Sequence, residues 1–148
     1  MKKLFILWVM VTILMPCIAG AEDSPIGKTK TGKGEVAVIR GGKEIPLGVG
    51  DKVCQNDIIR TGETGAVGII FEDNAILSLG PKSEIRIDNY VFAPQNDTFS
   101  MIARIMRGTV SYISGIICRN SPEAVKFETP DATIGIRGTQ ILVRVDGK

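Results

Sequence analysis

The chain reads as all-β, and three observations predict it. Short apolar stretches recur through residues 34–148, separated by Gly, Asn, Asp or Pro every six to twelve residues. Inside those stretches apolar and polar residues alternate with period two. The cleanest case is EIRID, where Ile85 and Ile87 share a face opposite Glu84, Arg86 and Asp88. Beyond residue 21 no segment carries a convincing helical stripe. The expected architecture is a single domain of about ten short strands, a sandwich or barrel-like roll, preceded by a signal peptide.

The elements follow in order. Residues 4–15, LFILWVMVTILM, form an apolar run behind Lys2 and Lys3 and ahead of Ala19-Gly20-Ala21. A basic start, a core of this length and a small-x-small step make a secretory signal over residues 1–21, cleaved after Ala21. The run is shorter than the roughly 20 residues a spanning helix needs, so a retained anchor is the less favoured reading. Residues 22–33, EDSPIGKTKTGK, are polar and read as a flexible leader, which places the domain at 34–148.

EVAVIR then opens the strands, and Gly41-Gly42 turns it back into KEIPL. Gly48–Asp51 is a second turn. IIRT and AVGIIFE flank Gly62-Glu63-Thr64-Gly65, and Asp73-Asn74 joins AVGIIFE to AILSL as a hairpin. Gly80–Ser83 breaks the chain before EIRID. FAPQNDT, 92–98, is the longest polar loop. FSMIARIMR, 99–107, is where a helix competes, but Phe99, Met101, Ala103 and Ile105 also fit period two, and strand is the choice. Gly108 interrupts it before TVSYIS. AVKFET, ATIGIR and TQILVRV close the chain, punctuated by Pro130 and Gly138. The period-two faces predict a core of Val36, Val38, Ile58, Val67, Ile69, Phe71, Leu77, Leu79, Ile85, Ile87, Val110, Tyr112, Ile134, Ile136, Ile141 and Val143.

Charge and residue chemistry exclude several functions. Loss of the signal removes Lys2 and Lys3 and leaves sixteen basic residues against sixteen acidic ones. A neutral domain lacks the basic footprint that nucleic-acid binding uses. The chain has no histidine, which removes His-based triads and the commonest metal ligand. Two cysteines remain after export, Cys54 and Cys118. They either form a disulfide, closing a long loop for about 4 kcal/mol, or stay as buried thiols. Two separated cysteines do not make a metal site, and no cofactor motif is present. Carboxylates at strand ends, Asp73, Asp88 and Asp131, are the remaining acid–base candidates, but Asp is ordinary turn chemistry. Tyr90, Phe92, Phe99 and Tyr112 read as packing rather than a sugar platform. The expectation is a protein that is not an enzyme.

The ordered series EVAVIRGGKEIPLGVGD, DIIRTGETGAVGIIFEDNAILSLGPKSEIRI, RGTVSYI and KFETPDATIGIRGTQILV resembles the FecR domain. The most specific piece is T-P-x-A-x-x-G-x-R-G-T, met here at residues 129–139. Asn74 stands where the family's pattern usually has Gly, and Asn also accepts the left-handed conformation. The resemblance implies an extracytoplasmic β-rich domain, periplasmic or extracellular. In the family's founding type such a domain carries a signal from an outer-membrane iron–siderophore receptor toward a cytoplasmic sigma factor. Only three residues precede the apolar run here, so that role does not transfer whole. The favoured reading is an exported non-catalytic module that binds another envelope protein or a cell-wall glycan. The alternative is a periplasmic signalling component related to the iron–siderophore regulators.

Two local expectations remain. Asp146-Gly147 has the composition of a hairpin turn with no return strand in the sequence, which points to a truncated domain, a missing C-terminal segment, or a strand completed by a partner at the TQILVRV edge. Arg137-Gly138-Thr139 reads first as a structural turn. Gly138 would supply an unusual backbone conformation, Thr139 would hydrogen-bond freed backbone, and Arg137 would clamp turn carbonyls or Asp131. A ligand-reading Arg137 is the competing reading.

Overall fold

The computed structural model describes residues 24–147. The predicted signal peptide, with Ala19 and Ala21 at its cleavage site, lies outside the described residues. The described chain is mostly β: twelve strands join in one curled, half-barrel sheet, with one short helix. Most strands come in collinear pairs that form single ribbons bent in the middle. Strands β1 (Pro25–Lys33) and β2 (Val36–Arg40) make the first ribbon. After a detour through β3 (Lys43–Pro46) and β4 (Lys52–Cys54), β5 (Ile58–Thr61) and β6 (Ala66–Phe71) make the second. β7 (Ile76–Leu79) and β8 (Glu84–Ala93) make the third, and β9 (Thr98–Ile113) is the fourth. All four ribbons pair antiparallel with their neighbours.

The bends line up and divide the sheet into two arms. One arm holds β2, β3, β5, β8 and residues 98–107 of β9. The other holds β1, β4, β6, β7 and residues 108–113 of β9. A hydrogen-bonded seam runs across the bends. Gly62 N donates to Glu35 O at 2.9 Å, and Lys82 N to Gly62 O at 3.0 Å. Thr61 N donates to Ser83 O, the Thr61 hydroxyl donates to Gly80 O at 2.6 Å, and Ser83 N donates back to Thr61 Oγ1 at 2.9 Å. Thr109 N in turn donates to Ser83 Oγ at 2.9 Å. At Gly108 (φ +92°) the two arms of β9 meet, and a Cβ there would lie 2.4 Å from Ser83 Cα. Strands that switch direction in this way build the corners of packed sheets.

The inner surfaces of both arms form one core. Val36, Val38, Ile59, Ile85, Ile87, Met101, Ala103 and Ile105 come from the first arm, and Val67, Ile69, Phe71, Leu77, Leu79, Val110 and Tyr112 from the second. Phe71 and Tyr90 stack between the arms with ring centroids 5.3 Å apart. After β9 the chain forms α1 (Ile116–Asn120), buries Ile117 and Cys118, and returns as β10 (Val125–Glu128), which pairs parallel with β9. β11 (Thr133–Gly135) pairs with β10, and β12 (Gln140–Val145) pairs antiparallel with residues 108–113 of β9.

Most of the predicted core is buried as expected. The exceptions are instructive. Ile58 is half-buried and Ile59 takes its place, because Asp57 is wholly buried and sets the inward phase as 57, 59, 61. Ile134, Ile141 and Val143 pack only partly against the core, since they lie on strands with one neighbour. The expected flexible leader is wrong for residues 25–33. They form β1, which pairs with β6 along its length and buries Ile26 and Thr29, so pairing overrides a polar composition. The domain therefore begins before residue 34. The 92–98 loop shrinks to a tight turn around Pro94–Asn96, because β8 and β9 pair as far as Ala93 and Thr98. The sandwich alternative gives way to one continuous curled sheet.

Gly108→Ala should cost at least about 2 kcal/mol in urea unfolding, since it combines positive-φ strain with a backbone clash. Gly41→Asn is the matched control. Gly41 also has positive φ but nothing lies near its absent side chain, and Asn tolerates that conformation. It should shift stability by no more than about 0.5 kcal/mol.

Candidate interaction surface

Two buried carboxylates organise the ends of the sheet. Asp57 accepts a bidentate pair from Arg40, Nε to Oδ1 at 2.8 Å and Nη2 to Oδ2 at 2.6 Å, and also Cys54 N at 2.8 Å. It fastens the β4–β5 connection to β2. Asp73 sits in the β6–β7 turn, where Asn74 takes positive φ as the sequence allowed. Its Oδ1 accepts the Tyr90 hydroxyl at 3.1 Å and Ala75 N at 3.2 Å, and its Oδ2 accepts Ile117 N at 3.2 Å. Its own N donates to the Tyr90 hydroxyl at 3.0 Å. Asp73 thus ties the turn, β8 and α1 together. The other two carboxylates weighed from the sequence go elsewhere: Asp88 pairs with Arg86 and Arg104, and Asp131 is exposed. Among the described residues no group of three or more His, Cys, Asp or Glu could hold a metal.

Cys54 and Cys118 are buried thiols, not a disulfide. Cys118 Sγ lies 3.7 Å from Ile136 O and 4.0 Å from Gly138 O, so α1 supports the loop before β12.

That loop carries Arg137, Gly138 and Thr139, all exposed. The expected arginine clamp is not formed: Arg137 has no hydrogen bond or ion pair among the described residues. Gly138 has φ +139°, so a special backbone conformation is indeed used there, with open space around it. Thr139 holds the loop through its carbonyl rather than its hydroxyl, accepting Ser114 N at 2.9 Å and Ser114 Oγ at 3.2 Å. The turn is structural through backbone and Cys118, and the guanidinium points to none of it.

The phase of the last strand follows from the same contact. Ser114 N bonds to Thr139 O, so the ladder's bonded positions on β12 continue at Ile141, Val143 and Val145. Gln140, Leu142 and Arg144 direct their backbone groups away from β9, where no described strand pairs with them. Leu142 is 72% exposed. An open six-residue edge with an apolar outward side chain is a surface for strand addition.

Fold and edge together define an all-β domain in which β12, paired on one side only, is displayed beside an exposed arginine loop. A family model described as FecR protein matches residues 57–148, well over half of the chain, and the chain belongs to that family. The match takes in the seam from Thr61 to Thr109, the Asp73 turn, the Arg137 loop and β12. No curated protein and no solved structure matches the chain.

The two tyrosines are the chain's only ones, and both hydroxyls are held above their ordinary value of 10.0. Burial is the main cause for each, and the nearby Asp73 charge adds to it. In the unfolded chain they ionise near pH 10. Their contribution to stability is therefore complete below that pH and falls as pH rises above it. Ultraviolet titration should show no phenolate while the fold persists, then both appearing together with alkaline unfolding. A smooth titration near pH 10 with near-ultraviolet dichroism intact would contradict the burial of either ring.

Proposed function

We propose that this FecR-family chain is an exported, non-catalytic interaction module of the cell envelope, which accepts a strand from a partner along the open edge of β12. The observation that carries the reading is the outward-facing backbone of Gln140, Leu142 and Arg144 beside the exposed Leu142 side chain. Main-chain pairing supplies affinity in such contacts, and pockets or charges next to the edge supply selection. Arg137 stands three residues before β12 begins, uncommitted within the fold and suited to a carboxylate on the partner. Export rests on the sequence of residues 1–21. A non-catalytic role is supported by the absence of histidine and by the use of Asp57 and Asp73 as acceptors for backbone and arginine donors.

Membership of the FecR family favours an envelope protein over a glycan as the partner, and with it the signalling variant of this reading. Fractionation separates the two forms: a soluble periplasmic pool fits a free module, and an integral membrane form fits a regulator.

Leu142→Pro tests the edge. The N–H it removes points away from β9, and proline is tolerated at such edge positions. The fold should therefore keep its stability to within about 1 kcal/mol. Site-specific cross-linking in cells from an analogue placed at residue 140 should trap a partner in the parent protein, and the yield should fall at least tenfold with Leu142→Pro. An unchanged yield, or no cross-link from the edge at all, would sink strand addition here.

A further inference from the structure

The charges on the outer surface differ between the arms: β1 and β4 of the β6 arm carry four exposed lysines without an ion pair among the described residues, and the β8 arm carries two, Lys43 and Lys126, beside its paired arginines. On the β8 arm every outward arginine of the central strands has a carboxylate. Arg60 pairs with Glu84 at 2.8 Å and Glu44 at 3.6 Å, Arg107 with Glu84 at 3.4 Å, and Arg104 with Glu128 at 2.9 Å and Asp88 at 3.5 Å. On the β6 arm the cations are lysines of β1 and β4. Lys28, Lys30, Lys33 and Lys52 are exposed and have no ion pair among the described residues.

Lys28 and Lys52 stand directly opposite each other in the β1–β4 ladder. Like charges at that position destabilise a sheet. β4 is the last strand of its arm, so Lys52 stands on the sheet's edge, where a lysine also guards against strand addition, while Lys28 stands on β1 between β4 and β6. They line an open concavity of about 420 Å³ with Gly27, Ile70 and Asn74, and Glu72 is its one carboxylate. Across the sheet from Lys28 the register continues through Ile70, Ile76 and Ile113, an uncharged isoleucine row on the outer face. Ile113 is 37% exposed.

We propose that this outer face of the β6 arm docks on an anionic lipid bilayer. The lysines of β1 and β4 meet lipid phosphates, and the isoleucine row contacts the interface beside them. Clustered lysines next to apolar side chains bind anionic membranes additively, by about fivefold per lysine, and the attraction is screened by salt. The lysine pair that weakens the β1–β4 ladder is thereby given a counter-charge outside the protein. The isoleucine row ends at Ile113, opposite Gln140 of β12, so the docking face adjoins the β12 edge, and the lysines of β1 and β4 at its far side are what the test below varies.

The test is sedimentation of the protein, purified as the cell makes it, with vesicles rich in phosphatidylglycerol and with pure phosphatidylcholine vesicles. Preferential binding to the anionic vesicles is expected, and about 0.5 M salt should abolish the preference. The double variant Lys28→Gln/Lys52→Gln should lose about 25-fold of it while its thermal melt stays the same or rises. Lys126→Gln, an exposed lysine on β10 of the other arm, should change nothing. Equal binding to both vesicle types overturns the proposal. So does an equal loss with Lys126→Gln, or full competition by soluble polyphosphate at matched charge, which would make the site a soluble-anion site instead.

Discussion

The hydrogen-bonded seam through Thr61, Gly62, Ser83 and Thr109 is the constraint on which the rest of the molecule depends. Four ribbons must bend at the same level, or their ladders would fall out of register on one side of the corner. The seam enforces this by replacing the missing ladder bonds with side-chain hydroxyls. Thr61 and Ser83 are both buried, and their hydroxyls bond to backbone of the neighbouring ribbon. A threonine and a serine can do this because each hydroxyl both donates and accepts. Glycine is required where the ribbons approach most closely. A Cβ at Gly65 would lie 2.2 Å from Glu35 O, and one at Gly108 would enter Ser83. Once the bend exists, alternate residues of both arms face the same interior and the core closes without a second sheet.

The carboxylates complete what the seam begins. A curled sheet has loose ends where β4 and β5 separate and where β9 gives way to α1. Asp57 and Asp73 sit at these places, each buried and each accepting several donors. Burying a carboxylate is favourable only when its oxygens are bonded in this way, so the same residues that hold the ends would leave an uncompensated charge if their donors were removed. The Arg40 side chain remains partly exposed, which moderates the desolvation that a fully buried pair would suffer. Tyr112 is a contrast: its hydroxyl is buried beside Phe127 with no side-chain partner among the described residues.

Period two made the strands and most of the core legible, because it depends only on which face a residue occupies. It could not show that β7 and β8, or β5 and β6, are single bent ribbons, since the glycine-rich breaks between them look the same as turns. β1 was illegible for a related reason. PIGKTKTGK has one large apolar residue, and its pairing is set by β6 rather than by its own composition. The phase of IIRT hung on Asp57, a charged residue that sequence reading assigns to solvent and the fold buries. The Arg137 turn was legible as a special backbone position at Gly138, but not in its fastening, which uses a thiol on α1 and a carbonyl that carry no sequence signature.

The division of labour along β9 explains how a rigid frame and an open edge coexist. Residues 98–107 are enclosed by β8 along their length and by β10 at 101–104. Residues 108–113 lie between β7 and β12. β9 is thus paired on both sides at residues 101–104 and 110–113, and β12 inherits a firm backing while its far side stays free. Its inward side chains, Ile141, Val143 and Val145, are half-buried against the core, which holds the strand's pleat in phase. An edge held straight and in phase needs little further ordering when a partner strand arrives, and that reduces the conformational cost of binding. A loose tail with the same residues would bear that cost in full. The open strand is therefore most useful as a binding element because the seam, many residues away in sequence, has already fixed the strand beside it.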